Sequence, residues 1–183
     1  MVQVNRRQIM GRTLVLGGAR SGKSRYAQIC AETAANASGQ TPAMIVTAQA
    51  FDDEMQERIQ RHQNGRGGRW QTFEAPMQLA DSLRAQPPGA IVVVDCLTLW
   101  LTNQMLAEND LGVAVSELVD AVLNCQAEHL WLVSNEVGMS LVPENALGRR
   151  FRDEAGRLHQ QLATVCDETY LIAAGMKLKM EPF

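Results

Sequence analysis

The chain has 183 residues, of which 46% are hydrophobic and 20% are charged, and its formal net charge is −3 at pH 7. This length and composition are typical of one globular domain whose core is large enough to fold without disulfide bonds or a structural metal. Nucleic-acid-binding domains usually carry a basic excess. The acidic balance therefore predicts that the protein has no DNA or RNA partner.

Four scattered cysteines, Cys30, Cys96, Cys125 and Cys166, form no CxxC pair and lie in or beside apolar runs. This distribution is typical of reduced thiols and predicts a cytoplasmic protein. The N-terminus lacks the apolar core of a signal peptide, and no run approaches the roughly 20 apolar residues that a membrane span needs. We expect residues 1–11 to form a flexible tail, followed by a single domain over residues 12–183.

Five short apolar runs, rich in Val, Ile and Leu, predict strands that are buried on both faces. They cover residues 13–18, 43–48, 90–98, 129–137 and 169–175. Segments of helical length separate or follow them, at 22–35, 53–64, 76–86, 112–127 and 146–165. The alternation of strand and helix predicts an α/β fold around a mainly parallel sheet with right-handed crossovers.

The first predicted strand ends in GGARSGKS, residues 17–24, which matches the phosphate-binding pattern GxxxxGK[ST]. Glycine allows backbone angles at which successive N–H groups converge on phosphate oxygens, and the helix that follows points its positive end at the same anion. The motif predicts a nucleoside triphosphate site in which Lys23 reaches the outer phosphates and the Ser24 hydroxyl binds Mg²⁺. The expected phosphate contacts are Gly17, Gly18, Ala19, Arg20, Ser21, Gly22, Lys23 and Ser24.

A carboxylate ends the third apolar run, where the stretch IVVVDC places Asp95. P-loop proteins hold Mg²⁺ with an acid in this position, either directly or through water. Asp95 is therefore a second candidate Mg²⁺ ligand, and an ordinary polar residue at a strand end is the alternative. P-loop domains serve as kinases, switches and motors, so these motifs do not define the reaction.

The stretch DDEMQERIQRHQNGR, residues 52–66, carries His62 in the last turn of the second predicted helix. Met55, Ile59 and His62 are spaced four and three residues apart, so they share one face of that helix. A neutral imidazole is a competent nucleophile at phosphorus, and its attack at the α-phosphorus of a triphosphate would release pyrophosphate. On spacing alone, a histidine that interacts with the terminal carbonyls of its helix is the alternative.

Four stretches, GGARSGKSRYA, DDEMQERIQRHQNGR, VVDCLTLWLTN and SNEVGMSLVPENALGRRFRDEAGRLHQQLA, resemble one known family. It is the bifunctional adenosylcobinamide kinase / adenosylcobinamide-phosphate guanylyltransferase family of cobalamin biosynthesis. The resemblance runs from about Thr13 to Leu178, nearly the whole chain. It implies a P-loop NTPase (RecA-like) three-layer fold and a homotrimer.

The resemblance also implies two reactions. ATP or GTP phosphorylates the hydroxyl on the aminopropanol arm of adenosylcobinamide. GTP then guanylylates a histidine, and the cobinamide phosphate takes the GMP to give adenosylcobinamide-GDP. The family histidine lies in the helix after the second strand, where this chain has His62, preceded by Arg61 instead of the second histidine of some relatives. Further GTP contacts carry over by position to Val46, Thr47, Ala48, Gln63, Asn64, Gly65, Arg66, Glu74 and Asp95.

The sequence leaves two interpretations open for several residues. Glu136 follows a predicted strand and either contacts the substrate or belongs to a turn held by side chain–backbone hydrogen bonds. Arg149, Arg150 and Arg152 form either a solvated helix face or a basic contact for the cobinamide phosphate or a neighbouring subunit. His159 stands where relatives often have Asn, so the resemblance assigns it no role. A single-activity P-loop kinase and a nucleotide-binding switch are the alternative functions.

Overall fold

The computed structural model of the protein describes residues 11–48 and 69–182. Its strands are β1 (Gly11–Gly17), β2 (Ala43–Val46), β3 (Gln71–Glu74), β4 (Ile91–Asp95), β5 (His129–Asn135), β6 (Glu168–Ala173) and β7 (Met176–Met180). The helices in these ranges are α1 (Lys23–Ser38), α2 (Leu79–Arg84), α3 (Leu97–Leu106), α4 (Leu111–Leu123) and α5 (Ala146–Val165). The predicted helix over 53–64 lies outside the described residues, as does the predicted tail apart from Gly11.

The strands form one sheet in the order β3-β2-β4-β5-β1-β6-β7. Every neighbouring pair is parallel except β6 and β7, which form an antiparallel hairpin at one edge. Strand β1 lies inside the sheet, and β5 separates it from β4. The carboxyl ends of the parallel strands therefore share one edge, which is where α/β proteins bind ligands. This topology confirms the predicted α/β fold with a mainly parallel sheet.

Helices cover both faces of the sheet and give the fold its three layers. On one face, α2, α3, α4 and α5 pack large buried side chains such as Leu101 and Leu158 against the strands. On the other face, α1 presents a stripe of small residues that includes Ala31. Within β4, Val92 faces the first cluster and Val93 faces the second. A strand buried on both faces needs the continuous apolar run that predicts it.

Three elements, β3, α3 and β7, are absent from the sequence-based prediction. β3 is four residues long and exposed throughout, so it offers neither an apolar run nor alternation. α3 has the opposite composition, LTLWLTNQML, in which Leu97, Thr98, Trp100, Leu101, Asn103, Gln104 and Met105 are all buried. A helix buried on most sides lacks the polar face that identifies amphipathic helices. The strand predicted to extend to residue 98 therefore ends at Asp95, and the helix begins at Leu97.

No helix in the two described ranges is long and apolar enough to span a membrane. The four cysteines are free thiols, of which Cys96 and Cys125 are buried. Burial raises the pKa of both buried thiols, so they stay protonated at neutral pH.

Candidate active site

The phosphate loop, residues 17–24, joins the carboxyl end of β1 to α1. A side chain at Gly17 would place its Cβ 2.5 Å from the Ile172 carbonyl oxygen and 2.6 Å from Ser21 Oγ. Gly22 has a φ of 98°, a left-handed conformation that residues with a Cβ rarely adopt. These two glycines let the chain turn sharply after β1 and present the N-terminus of α1 to the loop.

The turn between β6 and β7 supports the phosphate loop. The backbone N–H of Gly175 donates to the carbonyl oxygen of Ser21 at 2.9 Å. Ser21 Oγ is buried and has no hydrogen-bond partner within the described residues. A buried hydroxyl without a partner costs free energy, which a bound group recovers by pairing with it. The loop thus contains an unused polar atom, as expected of a site that binds an anion.

Lys23, the first residue of α1, brings a positive charge into the loop. Its side chain is largely buried, and Nζ donates to the carbonyl oxygen of Gly18 at 3.2 Å. Its charge also affects the thiol of Cys96, the residue directly after β4. Burial raises the pKa of that thiol and the Asp95 carboxylate raises it further, whereas the Lys23 ammonium lowers it. Lys23 and Asp95 therefore have opposite effects on the pKa of the same thiol.

The sheet register aligns further predicted contacts along the same edge. Val46 at the end of β2 pairs with Glu74 of β3 on one side and with Asp95 of β4 on the other. Gly17 of the phosphate loop pairs with Asn135 of β5. Glu74 is exposed, and Val46 and Asp95 are half-buried. The structure brings these residues to one edge, and their contacts with a nucleotide stay predictions.

Thr47 is a predicted nucleotide contact whose polar atoms already have partners. Its Oγ1 donates to the carbonyl oxygen of Cys96 at 2.6 Å and accepts from the Cys96 N–H at 2.9 Å. Its own carbonyl oxygen accepts from Asn103 Nδ2 at 2.9 Å. Thr47 is fully buried and joins the end of β2 to the connection between β4 and α3. A nucleotide contact at Thr47, or at the half-buried Ala48, stays a prediction.

We expect Thr47→Val to lower the free energy of unfolding by about 1 to 3 kcal/mol, because it leaves the buried N–H of Cys96 without a partner, whereas the Cys96 carbonyl oxygen keeps the Trp100 N–H. Thr47→Ser keeps the hydroxyl and loses only a methyl group, so it should cost about 1 kcal/mol. Urea denaturation at neutral pH measures both changes. Equal stability of the valine variant and the wild type would contradict the structural role of this hydroxyl.

The candidate nucleophile lies outside the described residues. His62 and the loop that follows it, Gln63, Asn64, Gly65 and Arg66, belong to the range 49–68 that separates the two described parts of the chain. Their roles therefore stay predictions that biochemical experiments must test.

The end of β5 adds polar groups beside the phosphate loop. The backbone N–H of Glu136 donates to the carbonyl oxygen of Gly17 at 3.0 Å. Glu136 Oε1 accepts from the N–H groups of Gly138 and Met139, the latter at 3.0 Å. The structure thus supports the turn held by side chain–backbone hydrogen bonds. The motif patterns do not reveal that this turn contacts the phosphate loop, because the contact depends on the pairing of β5 with β1.

The arginines at the start of α5 are partly engaged within the protein. Arg149 Nη1 donates to the carbonyl oxygens of Pro143 and Glu144, at 3.1 and 2.6 Å. Arg152 pairs with Asp153 at 3.2 Å. Arg149 therefore holds the loop before α5, and a contact between this cluster and a substrate phosphate stays a prediction.

His159 on α5 is buried at the same end of the sheet. Its Nε2 lies 2.7 Å from Ser134 Oγ in β5, and its Nδ1 lies 4.0 Å from Glu136 Oε2. Burial lowers the pKa of His159 from the usual 6.5, and the Glu136 carboxylate partly opposes this effect. The imidazole is therefore neutral at pH 7, and its contact with Glu136 is not an ion pair there.

We expect His159 to make the fold less stable in acid. Its pKa is lower in the folded protein than the unfolded value of 6.5, so in acid the unfolded chain takes up a proton that the folded chain excludes. The contribution of the neutral imidazole to the free energy of unfolding is constant above about pH 6.5 and falls as the pH drops towards the pKa of His159 in the folded protein. Urea denaturation at pH 8 and pH 5.5 should show a smaller acid loss for His159→Asn than for the wild type. His129→Asn is the matched control, and an equal acid loss in all three proteins would contradict this prediction.

The phosphate loop after an inner strand of a parallel sheet, with an acid at the end of β4 on the same edge, defines a P-loop nucleotide-binding protein. The family model described as cobinamide kinase / cobinamide phosphate guanyltransferase matches residues 13–180 of the chain. The chain therefore belongs to this family.

Named relatives agree with the family match. The bifunctional adenosylcobalamin biosynthesis protein CobP of Pseudomonas aeruginosa is 45% identical over 177 residues, which are 93% of this chain and 99% of the relative. The bifunctional adenosylcobalamin biosynthesis protein CobU of Salmonella typhimurium is 39% identical, over 92% of this chain and 98% of the relative. A solved structure of a KaiC-like protein from Pyrococcus horikoshii aligns with a TM-score of 0.46 and 12% identity, over 88% of this chain and 70% of that one.

Proposed function

We propose that this chain is a bifunctional transferase of cobalamin biosynthesis. It phosphorylates adenosylcobinamide with ATP or GTP, and then transfers GMP from GTP to the cobinamide phosphate through a guanylyl-histidine at His62. The product is adenosylcobinamide-GDP. The observation that carries this proposal is the phosphate loop after β1, which shares the carboxyl edge of the sheet with Asp95 at the end of β4, in a chain that matches the family over residues 13–180.

The first step is a phosphoryl transfer. The substrate hydroxyl oxygen forms a bond to the γ-phosphorus, the bond from that phosphorus to the bridging oxygen breaks, and the nucleoside diphosphate leaves while the hydroxyl proton passes to solvent. Lys23 and the backbone N–H groups of residues 17–24 hold the phosphates and oppose their negative charge. The Ser24 hydroxyl and the Asp95 carboxylate are hard oxygen donors that suit Mg²⁺. The ion would supply further charge neutralisation between them and the phosphates.

The second step uses GTP as a guanylyl donor. A neutral His62 nitrogen attacks the α-phosphorus, the bond to the β-phosphate oxygen breaks, and pyrophosphate leaves. An oxygen of cobinamide phosphate then attacks the same phosphorus and releases the imidazole. We assign Gln63, Asn64, Gly65 and Arg66 to the GTP site together with Val46, Thr47, Ala48, Glu74 and Asp95. The alignment of Val46, Glu74 and Asp95 in one row of the sheet supports this assignment.

The proposal includes the state of the protein in the cell. We assign residues 12–183 to one domain and expect a cytoplasmic homotrimer. Light scattering of the purified protein should give three times the chain mass of 20.2 kDa. A monomer that retains both activities would contradict the proposed trimer and leave the proposed reactions unaffected.

Product analysis separates the proposed function from its alternatives. The purified protein is incubated with adenosylcobinamide, Mg²⁺ and ATP or GTP, and the corrinoids are identified by mass spectrometry. We expect cobinamide phosphate with either nucleotide, and adenosylcobinamide-GDP only with GTP. Phosphorylation without any GDP product would indicate a single-activity kinase. Nucleotide binding without transfer to cobinamide would indicate a switch module.

A further inference from the structure

A chain of contacts links α5 to the edge of the phosphate loop. Ser134 and His159 are both buried, with 0% and 7% of their surface exposed, and their side chains are joined by the 2.7 Å contact between Oγ and Nε2. The other imidazole nitrogen faces Glu136, whose Oε1 accepts the N–H groups of Gly138 and Met139. His159 thus lies behind the carboxylate that holds the turn at residues 136–139.

The chemistry of the groups assigns the proton positions. A carboxylate near Nδ1 favours the tautomer with the proton on that nitrogen, so Nε2 accepts from the Ser134 hydroxyl. Nδ1–H then faces Glu136 Oε2 at 4.0 Å, which is too long for a hydrogen bond but close enough for electrostatic attraction. The imidazole therefore lies next to the Glu136 oxygen that the turn does not use.

Two different contacts connect Glu136 to its surroundings. Its backbone N–H donates to Gly17 O, and this contact does not depend on any side chain. Its carboxylate holds the N–H groups of Gly138 and Met139. Loss of the imidazole should therefore disturb the turn and leave the phosphate loop in place.

The turn leads into an exposed apolar segment, residues 139–142. Met139, Leu141 and Val142 are 76%, 93% and 63% exposed, and the segment begins three residues after Glu136, whose backbone N–H contacts the phosphate loop. In the proposed function a nucleotide occupies the phosphate loop, and the acceptor substrate must approach the outer phosphates from beside it. A corrinoid is a large ring with extensive apolar surface, which makes it a suitable occupant of such a segment.

We propose that His159 is a positioning residue for the acceptor: through Glu136 it holds the turn that presents residues 139–142 to the corrinoid ring. This inference rests on the proposed kinase function. His159 makes no contact with the reacting atoms in this proposal. Its loss should weaken acceptor binding and leave nucleotide binding unchanged.

The test uses steady-state kinetics of cobinamide phosphorylation by the full-length protein. We expect His159→Leu to raise the KM for adenosylcobinamide about threefold, less than the loss of a full hydrogen bond would give because Nδ1 lies 4.0 Å from Glu136 Oε2, and to leave the nucleotide KM unchanged. His159→Asn keeps an N–H near the position of Nδ1 and should restore most of the acceptor KM. His159→Gln mimics Nε2 instead and should not. His129→Asn is the matched control and should behave as the wild type.

A double-mutant cycle tests whether His159 acts through Glu136. Glu136→Gln should raise the acceptor KM, and adding His159→Leu should raise it little further, because the two changes remove the same arrangement. Independent, multiplying effects would overturn the proposal, and so would equal changes in both substrate KM values. If the His159 or Glu136 variants change the molar mass of the assembly but leave the acceptor KM unaltered, residues 139–142 contact another subunit. This result would also overturn the proposal. A wild-type protein that never phosphorylates cobinamide would instead refute the proposed function.

Discussion

We expect Lys23→Met to abolish both transfers. Methionine keeps the length and the apolar part of the side chain but removes the positive charge next to the phosphates. The Nζ of Lys23 lies 3.2 Å from Gly18 O inside the phosphate loop, whereas Arg20, the other cation of the loop, is exposed. Removing one group that stabilises transition-state charge typically costs a hundred- to a thousandfold in kcat, roughly 3 to 4 kcal/mol. Phosphorylation and guanylylation rates measured separately should both fall by at least this amount.

The control for this variant is a lysine outside the site. Lys179 on β7 donates to Glu168 Oε1 at 3.0 Å and is half exposed. Lys179→Met removes the same charge from the chain and should leave both rates unchanged. Thermal unfolding confirms that each variant is folded. Retention of either transfer by Lys23→Met above about a tenth of the wild-type rate would contradict the assignment of the phosphate loop to both steps.

The second large effect is expected at His62. His62→Ala should lose guanylyl transfer by at least about a thousandfold, because it removes the atom that bonds to the α-phosphorus. The same variant should phosphorylate adenosylcobinamide within about threefold of the wild-type rate, since phosphoryl transfer in P-loop enzymes needs positioning and charge rather than a histidine. Product analysis with GTP should then show cobinamide phosphate and no adenosylcobinamide-GDP.

Comparison of the two variants separates the roles of the two groups. Lys23→Met removes a charge that both reactions share, whereas His62→Ala removes a bond that only the second reaction forms. Equal loss of both activities in His62→Ala would indicate a structural histidine, the alternative that the helix spacing leaves open.

The parts of the fold predicted from the sequence are those in which one local pattern determines the structure. The central strands, such as β4, have continuous apolar runs because they are buried on both faces. The edge hairpin depends on a weaker signal: MKLKM in β7 alternates apolar and polar residues, but every residue is exposed and the strand is short. Its pairing with β6 supports the phosphate loop through Gly175, a contact that no local pattern reveals.

The candidate site also has parts that local motifs predict and parts that they do not. Residues 17–24 and Asp95 follow from motifs, because phosphate and Mg²⁺ chemistry restrict the residue types at fixed positions. The hydrogen bonds of Thr47 to Cys96, 49 residues away, depend on the pairing of β2 with β4. The contact between Ser134 and His159 joins residues 25 positions apart, in β5 and α5. Such links arise from the packing of complete elements, so residue spacing alone does not predict them.

Covalent labelling of the protein by GTP carrying a radioactive α-phosphate, in the presence of Mg²⁺, tests directly whether His62 is the nucleophile. We expect the denatured wild-type protein to retain label through a bond that is labile in acid and stable in alkali, as expected of a phosphoramidate. His129→Ala should retain this label, and His62→Ala should not. Absence of label from the wild type, or equal labelling of His62→Ala, would show that His62 does not accept the guanylyl group.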